Sequence, residues 1–470
     1  MLRLSARLSH SPLFVRHSSS SRFHIPAQML TTTMTVTFLG TSSGGGPSQS
    51  RNCSSLVADL LGDGKLWMVD CAEGTLRQFQ LQPYSPDRSN PRLSQLKKIF
   101  ITHMHADHVM GIVPILRNVL FPVPVGQDAA QIQALQKSYP TIELYGPAGL
   151  RTFVRSILKM TSSRTSDKYV VHELLNLTDS VTSCEPDVMH ESEVAGKDIV
   201  CSPEDSLWRD ILQADGIFGP VAVDAGPIAH RDPCIGFVFR EAAKPFRKIV
   251  VLGDTNDPSA IVPLCIDPSP SLLVHEATDA HISPDIDPKA KRSYDTVKEK
   301  ALARGHSIPE MAGAFAKTIG ARKLVLNHIG GRFPAPNPNE GYRLKGVRTN
   351  VIAEIERQAT EAWGMGNARA AWDFMRVGIP AAEVSQVAVE EQLFDEDLGS
   401  QGTSQWTSSN DFPTSYNTWE TNAGSSSTSE TPSYASSRYA RQNHRWSKGP
   451  PDVGGGSSRP YRSRYHPEQK

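Results

Sequence analysis

The run Thr102-His103-Met104-His105-Ala106-Asp107-His108 puts three imidazoles and a carboxylate within six residues, directly after the apolar run KKIFI and before a helix-like stretch beginning near Val109. That density of donors constrains the fold, because the rest of a metal site must arrive from distant segments, and strand ends on a rigid sheet deliver side chains that way. Imidazole nitrogen and carboxylate oxygen suit Zn²⁺, and also Mn²⁺ or Fe²⁺, better than Ca²⁺ or Mg²⁺. A donor set without thiolate points to an open, hydrolytic site rather than a closed structural one. Further donors stand beside apolar runs: His230 in GPIAHRD, Asp254 in VVLGDTND and His328 in LVLNHIGGR.

Short apolar or alternating runs predict strands at 36–39, 56–61, 66–69, 98–101, 142–144, 236–240, 249–252, 272–274 and 324–326. Helical spacing predicts helices over 149–160, 308–319 and 351–363, with Ser307 and Glu310 as a capping box for the second. Residues from about 162 to 215 have weak periodicity and read as loops with one strand near 169–174. Strands first, then strand and helix in alternation, imply an α/β fold of sheets covered by helices. The 49 Lys+Arg balance 49 Asp+Glu, which argues against a globally basic nucleic-acid coat protein. No apolar run approaches the roughly 18 residues of a membrane span, so a multi-pass membrane protein is excluded. Six cysteines without a C-x-x-C pair support neither a disulfide framework nor a zinc ribbon.

The folded unit is expected over 34–385. Residues 1–33 are arginine- and serine-rich without acids, the composition of a mitochondrial transit peptide; starts at Met29 or Met34 would give a cytosolic or nuclear form. Residues 395–470 read as a disordered Ser/Gly-rich tail whose basic, aromatic end has the charge and stacking surface used on single-stranded RNA.

The pattern H-x-H-x-D-H, together with FLGTSSGGGPSQSRN, VDCAEGTLRQ, IELYGPAGLRTFV, LLVHEAT, GHSIPEMAGAFAKTIGARKLVLNHIGGRF and WDFMRVGIP, resembles tRNase Z, the 3′-processing endoribonuclease of the metallo-β-lactamase superfamily. The resemblance implies an αββα sandwich of two mixed sheets. It also implies two zinc ions, with manganese as a substitute, acting on precursor tRNA: His103, His105 and His230 hold one ion, Asp107, His108 and His328 the other, and Asp254 bridges them. A bridging hydroxide would attack the phosphodiester after the discriminator base, with Asp107 orienting it. His306, supported by Glu276, would protonate the leaving 3′ oxygen, and His275 has a less defined part. Arg332 would neutralise a phosphate oxygen, and the loop ending in Arg51 and Asn52 would hold the acceptor end. Asp70 and Glu73 would support the metal ligands from behind.

One departure concerns the RNA grip. Short-form members carry a long flexible arm between the positions of His230 and Asp254, where this chain has only about two dozen residues, enough for two strands and a turn near Lys244-Pro245. Two other readings follow: a dinuclear phosphodiesterase of small or non-tRNA esters, and an RNA-binding scaffold with little activity. A homodimer, common in the family, is an open expectation because the family's grip uses the arm across the dimer.

Overall fold

The computed structural model describes residues 33–86, 89–121, 139–336 and 341–381. The transit-like leader before residue 33 and the Ser/Gly-rich tail lie outside the described residues. One sheet comprises β1 (Thr33–Gly40), β3 (Ser55–Asp59), β4 (Leu66–Val69), β5 (Leu96–Phe100), β6 (Ile142–Pro147), β7 (Tyr169–Leu175), the short β8 (Glu193–Val194) and β9 (Asp198–Val200), and β18 (Arg376–Pro380). Its order is β18-β1-β3-β4-β5-β6-β7-β8, with β9 also on β7. The other, in the order β10-β11-β12-β13-β14-β15-β17, comprises β10 (Trp208–Gly216), β11 (Gly219–Ile228), β12 (Cys234–Glu241), β13 (Lys248–Leu252), β14 (Leu272–Glu276), β15 (Leu324–Asn327) and β17 (Arg369–Ala370). Both sheets are antiparallel on one side and parallel on the other, changing between β4 and β5 in the first and between β13 and β14 in the second.

Parallel pairs need crossovers, and here helices make several of them. Among them, α1 (Thr75–Leu81), α2 (Ala106–Val109), α3 (Ile112–Val119) and α4 (Leu150–Met160) accompany the first sheet. On the second are α5 (Val262–Cys265), α6 (Tyr294–Ala303), α7 (Pro309–Thr318) and α8 (Tyr342–Trp363). The apolar residues accordingly form three layers. Leu116, Leu150 and Val154 cover the outer face of the first sheet, while Ala312, Ile355 and Trp363 cover the second. Between the sheets, Phe38, Trp67 and Phe100 meet Val223, Phe237 and Phe239, and the Phe100 ring stands edge-on to Phe239 at 5.2 Å and stacks on Tyr145 at 5.2 Å. Truncating a ring in such a layer costs about 3–5 kcal/mol. The architecture is αββα, as the resemblance implies.

The expected strands are present, and the helix expected over 351–363 begins earlier, at Tyr342. The largest departure is the β10/β11 hairpin, where loop was expected for the first strand: β10 buries only Trp208 and Ile211, and its register shifts between Trp208 and Leu212, so its sequence WRDILQADG shows no clean alternation. The capping expectation also fails. Ser307 is buried and donates its hydroxyl proton to Thr255 O, and the N-cap of α7 is Ile308. The turn at 242–247 directly joins β12 to β13, so no arm interrupts this part of the sheet. Among the described residues no helix is long and apolar enough to cross a membrane. Finally, β2 (Ser42–Ser43) pairs with β16 (Ile329–Gly330), fastening the glycine-rich loop after β1 beside His328.

Candidate metal centre

The histidine cluster works through a change of backbone period. His103 follows β5, and His105 is still extended (φ −67°, ψ 149°) as it precedes α2, whose first turn then swings Asp107 and His108 inward. The second sheet supplies its donors from strand ends: Asp254 after β13, Glu276 at the end of β14 and His328 after β15, on neighbouring parallel strands. His230 follows β11. Two residues of the site carry positive φ although neither is glycine, His328 at 52° and Asp70 at 55°. Backbone strain of this kind gathers where surrounding contacts fix a functional side chain.

Two groups of donor atoms result, overlapped by a third of Asp254, His306 and His328. His103, His105, His230 and Asp254 form one, and Asp107, His108 and His328 the other. His103 Nε2 faces His105 Nδ1 at 2.8 Å, and His108 Nε2 faces His328 Nε2 at 3.2 Å. Asp254 lies between them, its Oδ2 3.6 Å from His103 Nε2 and its Oδ1 3.6 Å from His108 Nε2 and 3.2 Å from His328 Nδ1. His230 donates from Nδ1 to Gly305 O at 2.7 Å, and its buried Nε2 has no hydrogen-bond partner. Gly305 has φ +75°, and a Cβ there would lie 2.7 Å from His230 Nδ1, so this contact requires glycine. An orphaned ring nitrogen among converging imidazoles and carboxylates is what a cation would satisfy, and the donor set fits divalent zinc. Burial and the neighbouring imidazoles hold His103 well below the ordinary histidine pKa, and burial lowers His230, which favours the neutral rings a metal needs.

Outer contacts fix the rings. Asp70 accepts from Thr102 N at 2.9 Å and lies 2.7 Å from His108 Nδ1, the supporting position expected of it. Glu73 does not share that role: its side chain is exposed, and the contact it makes toward the site region is its carbonyl accepting from Asn52 Nδ2. Two supporting residues escaped sequence reasoning. Asp232 Oδ2 lies 2.7 Å from His105 Nε2, and its only signal was a carboxylate two residues after His230. The Thr278 hydroxyl donates to Glu276 Oε2 at 2.5 Å and lies 2.9 Å from His328 Nδ1, joining a ligand to the Glu276 carboxylate. It is the last residue of HEAT, so the motif was its signal.

His306 Nδ1 is 3.0 Å from Glu276 Oε1, which also accepts from Thr255 N at 2.7 Å. Burial disfavours the charged ring, but the Glu276 hydrogen bond and the charges of Glu276 and Asp254 outweigh it, and the His306 pKa is raised. Asp107 Oδ2 accepts from Gly44 N at 2.6 Å and lies 3.3 Å from His328 Nε2; burial opposes its ionised form, yet the His328 and His108 rings keep its pKa well below the usual range. Arg332 is half-exposed at the rim, 3.5 Å from Asp279 Oδ2. His275 faces the helix layer, 5.8 Å from the Phe315 ring, and does not join the centre.

Arg51 and Asn52 require correction. Arg51 is 2 % exposed, and its guanidinium donates to Thr41 Oγ1, Ala371 O and Phe333 O. A buried cation with its donors engaged in this way shapes the loop from inside and presents no charge to a phosphate. Burial lowers its pKa to about 10 despite the Asp373 charge. Asn52 is likewise buried, its backbone N–H donating to Asp373 Oδ2 at 2.7 Å. Arg51→Ala is therefore expected to lower unfolding stability by at least about 2 kcal/mol, because charged hydrogen bonds are lost and carbonyls are orphaned. Urea unfolding checks this, and unchanged stability with weakened RNA binding would restore the direct role.

The model of the metallo-beta-lactamase superfamily matches residues 50–133. Ribonuclease Z of Streptococcus sanguinis is 33 % identical over 343 residues, covering 69 % of this chain and 99 % of that protein. Zinc phosphodiesterase ELAC protein 1 of Homo sapiens is 29 % identical over 408 residues, covering 74 % and 99 %. The crystal structure of human tRNase Z, short form, aligns with 29 % identity and a TM-score of 0.49 over 74 % of this chain and 99 % of that one.

Proposed function

Because the chain belongs to the ribonuclease Z family of the metallo-β-lactamase superfamily, we propose that it is a zinc-dependent endoribonuclease that removes the 3′ trailer from precursor tRNA. The observation that carries the reading is the convergence of two donor groups on Asp254 beside the hydrogen-bonded pair His306 and Glu276. His103, His105 and His230 would hold one zinc, Asp107, His108 and His328 a second, and Asp254 both. Such a pair supplies Lewis acidity and an acidified water at neutral pH.

The chain's own groups do the rest. Gly44 N–H fixes Asp107 Oδ2, leaving the other carboxylate oxygen to orient the attacking water. Glu276 Oε1 holds His306 at Nδ1, so the proton available to the departing 3′ oxygen is the one on Nε2. Thr278 keeps Glu276 and His328 in register. Arg332 offers a guanidinium to a non-bridging phosphate oxygen from the rim. The products are tRNA with a 3′ hydroxyl and a trailer with a 5′ phosphate.

One observation favours a second reading, hydrolysis of small or non-tRNA phosphodiesters: the six-residue turn 242–247 stands where short-form enzymes carry the arm. Purified protein is to be given a 3′-extended precursor tRNA and, separately, bis(p-nitrophenyl) phosphate. A single cut after the discriminator base is the expected result. Turnover of the small ester with an intact precursor would overturn the tRNA reading in favour of the second.

A further inference from the structure

A cavity of about 310 Å³ opens beside the metal centre on the side of the His103, His105 and His230 group. Its walls include Pro147 at the end of β6 and Ala148 after it, Trp208 at the start of β10, and Pro227 and Pro233 on either side of His230. The cavity reaches the centre itself, since it is lined by His230 and by Asp232, whose carboxylate touches His105. Pockets of about 300–1,000 Å³ with apolar walls and a few polar groups are typical of small-molecule subsites. Trp208 is a fixed wall: its Nε1 donates to Ile199 O at 3.0 Å and Leu175 O at 3.2 Å. Asn176 also lines the cavity, its Nδ2 donating to Asp179 Oδ2 at 3.1 Å, a bond in which its side-chain oxygen takes no part.

We propose that this cavity receives the base of the first trailer nucleotide, the one that leaves with the 5′ phosphate; the assignment rests on the RNA-cleaving reading above. The rings of Pro227 and Pro233 present flat apolar surface, with the buried Trp208 behind the wall, whereas the carboxylates of Asp179 and Asp232 disfavour a phosphate, so the group that fits is an uncharged base. The direction of the strand follows from the opposite flank. There the Gly44 loop closes on Asp107, and Arg332 stands beyond Thr278 and His328, the side on which the RNA-cleaving reading sets the tRNA 5′ of the cut. An RNA strand crossing both donor groups from that flank arrives at the cavity with the nucleotide beyond the cut. The Asn176 oxygen is an acceptor for an amino group on the base edge, and the half-exposed Arg231 borders the opening.

The test uses zinc-loaded full chain hydrolysing bis(p-nitrophenyl) phosphate, inhibited by adenosine 5′-monophosphate, by ribose 5-phosphate, which lacks the base, or by adenosine 3′-monophosphate. The 5′-nucleotide is expected to inhibit about ten-fold more strongly than ribose 5-phosphate, the scale of one stacked base, and more strongly than the 3′-nucleotide. Ala148→Phe, which fills the cavity, is expected to abolish the difference while small-ester turnover stays unchanged. Equal inhibition by adenosine 5′-monophosphate and ribose 5-phosphate in the wild-type protein would overturn the proposal without reliance on any variant. So would an undiminished preference in folded Ala148→Phe. Base-dependent inhibition alongside an uncut precursor tRNA would support the cavity and overturn the tRNA reading; a cut precursor with base-independent inhibition would do the reverse.

Discussion

Asp254→Ala is expected to reduce turnover of every phosphodiester by more than the ~10–100-fold that loss of an outer-shell partner costs, and to lower bound metal. Asp254 stands alone between the two donor groups, each of its oxygens facing a different one. Its burial opposes the ionised form, but the His328, His108 and His103 rings keep its pKa well below the usual range, so it is an anion among imidazoles. The fold is expected to survive, because the residue follows β13 and contributes nothing to the layer between the sheets. Metal analysis, circular dichroism and turnover of bis(p-nitrophenyl) phosphate separate the effects. Near wild-type turnover would overturn the ligand assignment.

His306→Ala is expected to slow the chemical step about 10²–10⁴-fold with metal content unchanged. Geometry allows another reading, since His306 Nδ1 is 3.8 Å from Asp254 Oδ2 and can be grouped with Asp254 and His328 as a donor set. The shorter contact decides: Nδ1 is engaged by Glu276 at 3.0 Å. Loss of metal in the variant would show that a ligand had been mistaken for an acid. The pH profile gives an independent sign. A general acid must be protonated, so activity falls as pH rises through the His306 pKa, which the Glu276 contact raises. Glu276→Gln removes that charge, lowers the pKa and moves the alkaline limb to lower pH. A limb that stays in place would exclude His306 as the titrating acid.

How much of this was legible in the sequence depends on where the information lies. The H-x-H-x-D-H run is local, and so is the change from strand to helix that folds it inward. His230, Asp254 and His328 were legible because each ends an apolar strand, and strand ends are where a sheet presents side chains. Arg51 misled because its charge suggested a phosphate, while its burial is set by Phe333 and Ala371, about 280 and 320 residues away. Asp232 and Thr278 were missed for a related reason: a lone carboxylate or hydroxyl has no periodicity, and its role appears only when His105 or His328 is placed beside it. The β10/β11 hairpin was illegible at β10 because the register shift between Trp208 and Leu212 leaves Arg209 and Asp210 both exposed and breaks the alternation that marks a strand.

If His103, His105, Asp107, His108, His230, Asp254 and His328 make one dinuclear centre, the stoichiometry of reactivation is fixed. Zinc added back to metal-free protein, with bis(p-nitrophenyl) phosphate hydrolysis followed at each addition, tests it most directly. Activity is expected to reach its plateau at two equivalents per chain. A plateau at one equivalent, or full activity without added metal, would contradict it.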